Sequence, residues 1–199
     1  MATTSQFHVS STSVATLMLV LLARTASAGT PATCESLTNF SFPDTTINSA
    51  TSNSGGAYVA PDAWHLAFTD LPPYCEVVAT IKPTADSSIG VRVWMPTQRY
   101  NGRYLGTGNG GYAGGYFQSE LADGINRGFA TANTDMGANG GAGVNGDALI
   151  GHPEKWKDFG WRATHLMTTF SKALINAFYG DPAQKSYLSV QVKIPEKVR

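Results

Sequence analysis

Charge is scarce in this 199-residue chain: Asp, Glu, Lys and Arg make up 14% of it, and the two signs balance at 14 residues each. With no basic run anywhere, neither a nucleic-acid groove nor an anionic-membrane surface has a basis in the charge distribution. Cysteine is scarcer still, since Cys34 and Cys75 are the only two and no Cys-x-x-Cys occurs. His65, His152 and His165 fall into neither His-x-His nor His-x-x-x-His spacing, which disfavours a zinc site. The apolar run from Val14 to Ala23 is ten residues long, too short to cross a hydrocarbon core of about 30 Å as a helix. What remains is 42% hydrophobic residues, enough for a packed core and outside the disordered class. One domain and a small-molecule partner are the expectation.

The same apolar run is followed by Ala26-Ser27-Ala28, a small-x-small site of the kind that ends a secretory leader, although no Lys or Arg precedes Val14. Residues 1–28 therefore read as a signal peptide and 29–199 as the exported chain. In an exported chain an even pair of cysteines reads as one disulfide, Cys34–Cys75. Closing a loop of that length stabilises a fold by about 4 kcal/mol in the chain-entropy account.

Residues 29–62 are rich in Thr, Ser, Asn and Gly and predict an irregular N-terminal arm tied down by that disulfide. Glu76 to Lys82 and Ile89 to Met95 alternate and are β-branched, a pattern of two hairpin strands. Arg103 to Gly106 is a third strand. Tyr116 to Arg127 carries Phe117, Leu121 and Ile125 at helical spacing and stops at Gly128. Phe129 to Thr134 is a fourth strand ending at Asp135, and Gly137 to Gly151 a long loop. Asp158 is positioned to cap a helix whose apolar stripe is Ala163, Leu166, Met167, Phe170, Leu174, Ala177 and Phe178, ended by Gly180 and Pro182. Ser186 to Ile194 alternates as a fifth strand. Two successive strand–helix–strand units imply parallel pairing, so the chain reads as α/β with an antiparallel hairpin in front.

The chemistry concentrates in Arg103 to Gly115, where six of thirteen residues are glycine. Backbone N–H groups there can approach an anion with no side chains in the way. Gly106-x-Gly108-x-x-Gly111 after a strand, with Asp135 ending the next one, fits a nucleotide-phosphate cradle. Glycines that continue through Gly114 and Gly115, where the phosphate-binding helix should already have begun, count against it. The rival is acyl transfer. In α/β-hydrolases the loop after the third strand supplies an oxyanion-hole N–H, and the nucleophile sits on the turn after the fifth; counted from the hairpin, the strands here take those places.

Three stretches carry a more specific likeness: Gly108-Asn-Gly-Gly-Tyr-Ala-Gly114, Gly128-Phe-Ala-Thr-Ala-Asn-Thr-Asp-Met-Gly137, and His152-Pro-Glu-Lys-Trp-Lys-Asp-Phe-Gly-Trp-Arg-Ala-Thr-His165, followed by Phe178-Tyr-Gly180 and Lys185-Ser-Tyr-Leu188. From about Cys34 to Leu188 the chain resembles the secreted tannase and feruloyl esterase family. Ala138 departs from it, where a His commonly follows Asp-x-Gly. The resemblance implies a truncated α/β-hydrolase half-sheet, a serine hydrolase with a Ser–His–Asp triad, esters of aromatic acids as substrates, and calcium in a lid domain. It also implies a nucleophile in Gly-Cys-Ser-x-Gly-Gly directly after the strand matching Lys185 to Leu188. This chain reads Ser189-Val-Gln-Val-Lys-Ile-Pro there, and neither that motif nor Gly-x-Ser-x-Gly occurs in it. Ser189 lies within an alternating strand, His165 on a helix beside a core stripe, and Asp135 where it would orient the glycine turn that follows. No catalytic residue is assigned, no cofactor is assigned within these residues, and the candidate oxyanion-hole donors are Gly110 and Gly111. A non-catalytic binding protein for aromatic acids is the reading from another functional class.

Overall fold

The computed structural model describes residues 31–62, 65–111, 114–138 and 146–189. The proposed leader, residues 139–145 of the glycine loop after Asp135, and the strand residues expected beyond Ser189 lie outside them.

The antiparallel hairpin forms where alternation predicts it: β4 (Tyr74–Ile81) and β5 (Ile89–Pro96) pair in register from Tyr74↔Pro96 to Ile81↔Ile89. The N-terminal arm departs from expectation. Its residues form a further strand, β1 (Thr45–Asn53), paired antiparallel with β4, and then β2 (Gly56–Val59), which pairs with β3 (Ala67–Leu71) as a separate hairpin. Ala50 is the one buried residue of β1, so a polar sequence sits at the sheet edge because β4 offers it a partner. Pairing context overrides propensity there.

Beyond the hairpin come β6 (Arg103–Thr107), α1 (Gln118–Asn126) and β7 (Ala130–Thr134), followed by α2 (Pro153–Lys157), α3 (Ala163–Tyr179) and β8 (Lys185–Ser189). The main sheet runs β1-β4-β5-β7-β6-β8. β7 pairs antiparallel with β5, whereas β6 pairs parallel with both β7 and β8.

Each parallel step needs a crossover helix, and the two helices occupy opposite faces. Met167, Phe170 and Leu174 of α3 pack with Val77, Val91, Val93, Ala130 and Ala132, and the disulfide joining Cys34 to Cys75 lies in this same cluster. Leu121 and Ile125 of α1 pack with Leu71, Tyr74 and Trp94 on the other face.

Helix boundaries depart from the sequence reading in two places. Phe117 lies just outside α1. Asp158 does not cap the start of a helix: the helix starts at Pro153, and Asp158 opens a wide, π-helical turn through Arg162 that joins α2 to α3. Fully buried, it accepts from Arg162 Nε at 2.5 Å, and Arg162 also reaches Glu154 and Ser87. A buried carboxylate is tolerable only with such a partner.

Gly124 sets how closely α1 approaches the sheet, since a Cβ there would stand 2.1 Å from the Thr131 Cγ2 methyl and 3.3 Å from Leu105. Alanine would gain about 1 kcal/mol in helix propensity, but overpacking costs about 1–3 kcal/mol. Gly124→Ala should therefore destabilise the chain by up to about 2 kcal/mol in urea unfolding, and adding Thr131→Ser, which removes the obstructing methyl, should recover most of that loss.

Candidate functional site

Because β6, β7 and β8 run parallel, their carboxyl ends lie side by side. Thr107 is level with Asn133 of β7 and with Ser189 of β8, and the Gly108 N–H donates to the Ser189 carbonyl at 2.8 Å, adding one rung beyond β6. The glycine loop leaves the sheet at this point. With α1 and α3 on opposite faces, this is the crevice where open α/β sheets place ligands.

Two asparagines hold the base of the loop. Asn109 Nδ2 donates to the Gly115 and Thr134 carbonyls at 3.1 and 2.9 Å. Asn133, fully buried, directs its Nδ2 at Thr107 O, Thr107 Oγ1 and Asn109 Oδ1, and its Oδ1 accepts from the Phe117 N–H. Farther along, Gly114 packs on Ala138, where a Cβ would stand 2.5 Å from the alanine methyl. Tyr116 places its ring under the Arg92 guanidinium, 4.9 Å from the ring centroid, and its hydroxyl over Gly90, where a Cβ would lie 1.9 Å away.

Gly110 and Gly111 sit at the open part of the loop, and Gly111 has φ +59°, a conformation that favours glycine. Among the described residues neither of their N–H groups donates a hydrogen bond to the protein. Both amides are open to a bound anion.

The nucleotide-binding pattern separates into parts with other tasks. Gly106 makes room for Met167 and Leu188, and Gly108 extends the β6–β8 ladder. The helix N-terminus that would receive a phosphate already holds a carboxylate: Asp62 accepts from the Ser119 N–H at 2.6 Å and from its hydroxyl at 2.8 Å.

Ser189 is exposed and lies on β8 beside the glycine loop. His165 is exposed on α3 against the Trp161 ring, centroids 6.2 Å apart. Asp135 accepts from the Gly90 and Gly137 N–H groups through one oxygen, at 2.8 and 2.9 Å, so it fixes the turn after β7 against β5. No group of three or more His, Cys, Asp or Glu side chains among the described residues is placed to hold a metal ion. Sequence reasoning assigns no role to Asn133, Asn109, Tyr116 or Asp62; Asn109 and Asn133 fall within the stretches that carry the family likeness, but nothing in them marks a partner.

Two carboxyl groups near the loop are held by burial above their ordinary range. Asp135 rises from 3.8 to about 6, a shift its two N–H donors oppose and the Asp158 charge adds to. Glu120 rises from 4.5 to about 7, chiefly by burial, with Thr107 opposing and Asp62 and Asp123 adding to it; its Oε2 is buried without a hydrogen bond. Both bind protons more tightly in the folded chain, so the stability they contribute is full below about pH 4 and is lost as pH rises through about 6 and 7. The urea midpoint of the wild-type chain should show this loss between pH 4 and 7, and Asp135→Asn with Glu120→Gln should flatten it.

Comparison with known proteins agrees with this geometry. The sequence pattern of the family described as Tannase and feruloyl esterase matches residues 75–190. An uncharacterized esterase of Xanthomonas campestris is 39% identical over 166 residues, covering 83% of this chain and 28% of the relative. Feruloyl esterase C of Talaromyces stipitatus is 36% identical over 118 residues, 59% of this chain and 21% of the relative. The crystal structure of feruloyl esterase B from Aspergillus oryzae superimposes with a TM-score of 0.68 at 30% identity, over 79% of this chain and 31% of that one. The sheet is thus part of an α/β-hydrolase fold, and the chain spans less than a third of the length of these relatives. On the extent of the family match and the 39% identity, the chain belongs to the tannase and feruloyl esterase family.

Proposed function

We propose that these residues form the N-terminal part of the catalytic domain of an exported carboxylic ester hydrolase acting on esters of aromatic acids. The observation that carries the reading is the pair of unused amides, Gly110 and Gly111, in the loop after β6, the third strand of the main sheet counted from the β4–β5 hairpin. In that role they donate to the oxyanion that forms when a serine attacks the ester carbonyl. One such donor is worth about 3–4 kcal/mol of the barrier in a complete enzyme. Residues 1–28 direct export, in accord with the disulfide between Cys34 and Cys75.

The nucleophile belongs on the turn after β8. A serine in that role would follow Ser189, whose carbonyl accepts from the Gly108 N–H at the start of the glycine loop, and would stand next to the donors. The residues that follow in this chain are Val190-Gln-Val-Lys-Ile, without the glycine-flanked elbow that exposes a nucleophilic hydroxyl. The 199 residues accordingly carry the oxyanion half of the site and not the serine.

Purified 199-residue chain should leave methyl ferulate, methyl gallate and p-nitrophenyl butyrate unhydrolysed above the buffer rate. Hydrolysis that disappears when any one serine or histidine is replaced would locate a nucleophile in this chain and overturn the assignment. Calorimetric titration with ferulate and gallate separates the binding-protein reading: saturable binding by a chain that hydrolyses nothing would favour it.

A further inference from the structure

Loops that present backbone amides to a developing charge act only if the amides point the same way before and during reaction. A run of glycines has no such rigidity of its own, because each residue is free over most of φ,ψ space. Something outside the run must therefore hold it, and the hydrogen bonds identify what does.

We propose that Asn133, on β7, is a positioning residue for the glycine loop and acts through Asn109 to set the direction of the Gly110 and Gly111 N–H groups. Its Nδ2 faces three oxygens, Thr107 O at 3.1 Å, Thr107 Oγ1 at 2.9 Å and Asn109 Oδ1 at 3.2 Å. Its Oδ1 faces one donor, the Phe117 N–H at 3.0 Å. That arrangement admits one amide orientation, since rotating the group by 180° would set an oxygen against three acceptors and an N–H₂ against a donor. Asn109 is fixed in the same way, with Oδ1 toward Asn133 and Nδ2 toward Gly115 O and Thr134 O.

The consequence is topological. The loop's entrance at Thr107 and Asn109 and its exit at Gly115 and Phe117 are tied to one another through two side-chain amides, so the segment carrying Gly110 and Gly111 is closed at its base. Asn133 sits on a strand whose residues are all buried, and it transmits the rigidity of that strand to a glycine run. This rests on the oxyanion reading for its purpose, though not for its geometry.

Asn133→Asp is nearly isosteric and keeps the acceptor for Phe117, but replaces the donor with an oxygen facing three oxygens. Asn109→Ala breaks the relay at a half-buried position and guards against misfolding of the first variant. Amide exchange followed by mass spectrometry should be at least about tenfold faster in both variants for the peptide spanning residues 107–117, with α3 and the β4–β5 hairpin at wild-type rates. The ¹H–¹⁵N resonances of Gly110 and Gly111 should move in both variants, a signature that a residue serving general stability would not give. Wild-type exchange and wild-type glycine shifts in both variants would overturn the proposal, as would acceleration equal in all three regions. Both readouts are taken without substrate, so failure of the esterase reading would leave the loop result standing.

Discussion

The constraint on which the rest of this structure depends is the parallel pairing of β6 with strands on both sides. A parallel neighbour cannot be reached by a tight turn, so each pairing demands a crossover, and the near-universal right-handed sense of crossovers sends the two helices to opposite faces when the chain moves first to one side of β6 and then to the other. From this single requirement follow the three layers, the two apolar clusters and the crevice at the carboxyl end of β6. The antiparallel strands β1, β4 and β5 widen the sheet and give both helices something to pack against, but they do not create the crevice.

Within that frame the polar interior divides into two kinds. The amides of Asn109 and Asn133 have donors set against acceptors and acceptors against donors, and such groups cost little when buried because each exchange with water is returned in full. The carboxyls of Glu120, Asp135 and Asp158 are different. Asp158 is matched by Arg162 on one oxygen and leaves the other without a bond, Asp135 relies on two backbone donors to a single oxygen, and Glu120 has a buried oxygen with none. Neutral, fully matched groups hold the loop, and ionisable, partly matched ones surround it. The region around the loop is therefore softer energetically than the loop's own base.

How much of this could be read from the sequence depends on the range of the interactions. The hairpin, α3 and the β6–α1–β7 unit are encoded by local periodicity and by glycine stops, and they form close to where the pattern predicts. β1 was not legible because Ser and Asn break up its strand-favouring Thr and Ile and leave no apolar alternation, until a neighbour such as β4 supplies the other half of the ladder. Asp158 was misread for a related reason: an acidic residue ahead of an apolar stripe looks like a cap, and only the distant Ser87 and the upstream Glu154 show that Arg162 had been recruited to a buried pair. At the site, six glycines in thirteen residues disclosed where an anion could approach. Four of the hydrogen bonds that shape the loop join residues 24 to 26 positions apart, a separation at which an asparagine carries no mark of its partner. Asp62 is farther still from the helix end that it occupies.

The bridge between Cys34 and Cys75 has a bearing on where this polypeptide can be made. It holds the short turn Glu35–Asn39 against the sheet, and Leu37 on that turn joins the cluster built around Phe170. Phe40 packs tilted and Phe42 edge-on against the same ring, with centroids 6.4 and 5.4 Å from it. In a compartment that keeps thiols reduced, the arm would be retained by weaker links such as the bond from Ala32 N–H to the Ala177 carbonyl, and each release of it would uncover the apolar face of α3 to chaperones and proteases. The yield of folded protein is in this way coupled to the thiol chemistry of the cell that produces it, through a segment remote from the glycine loop.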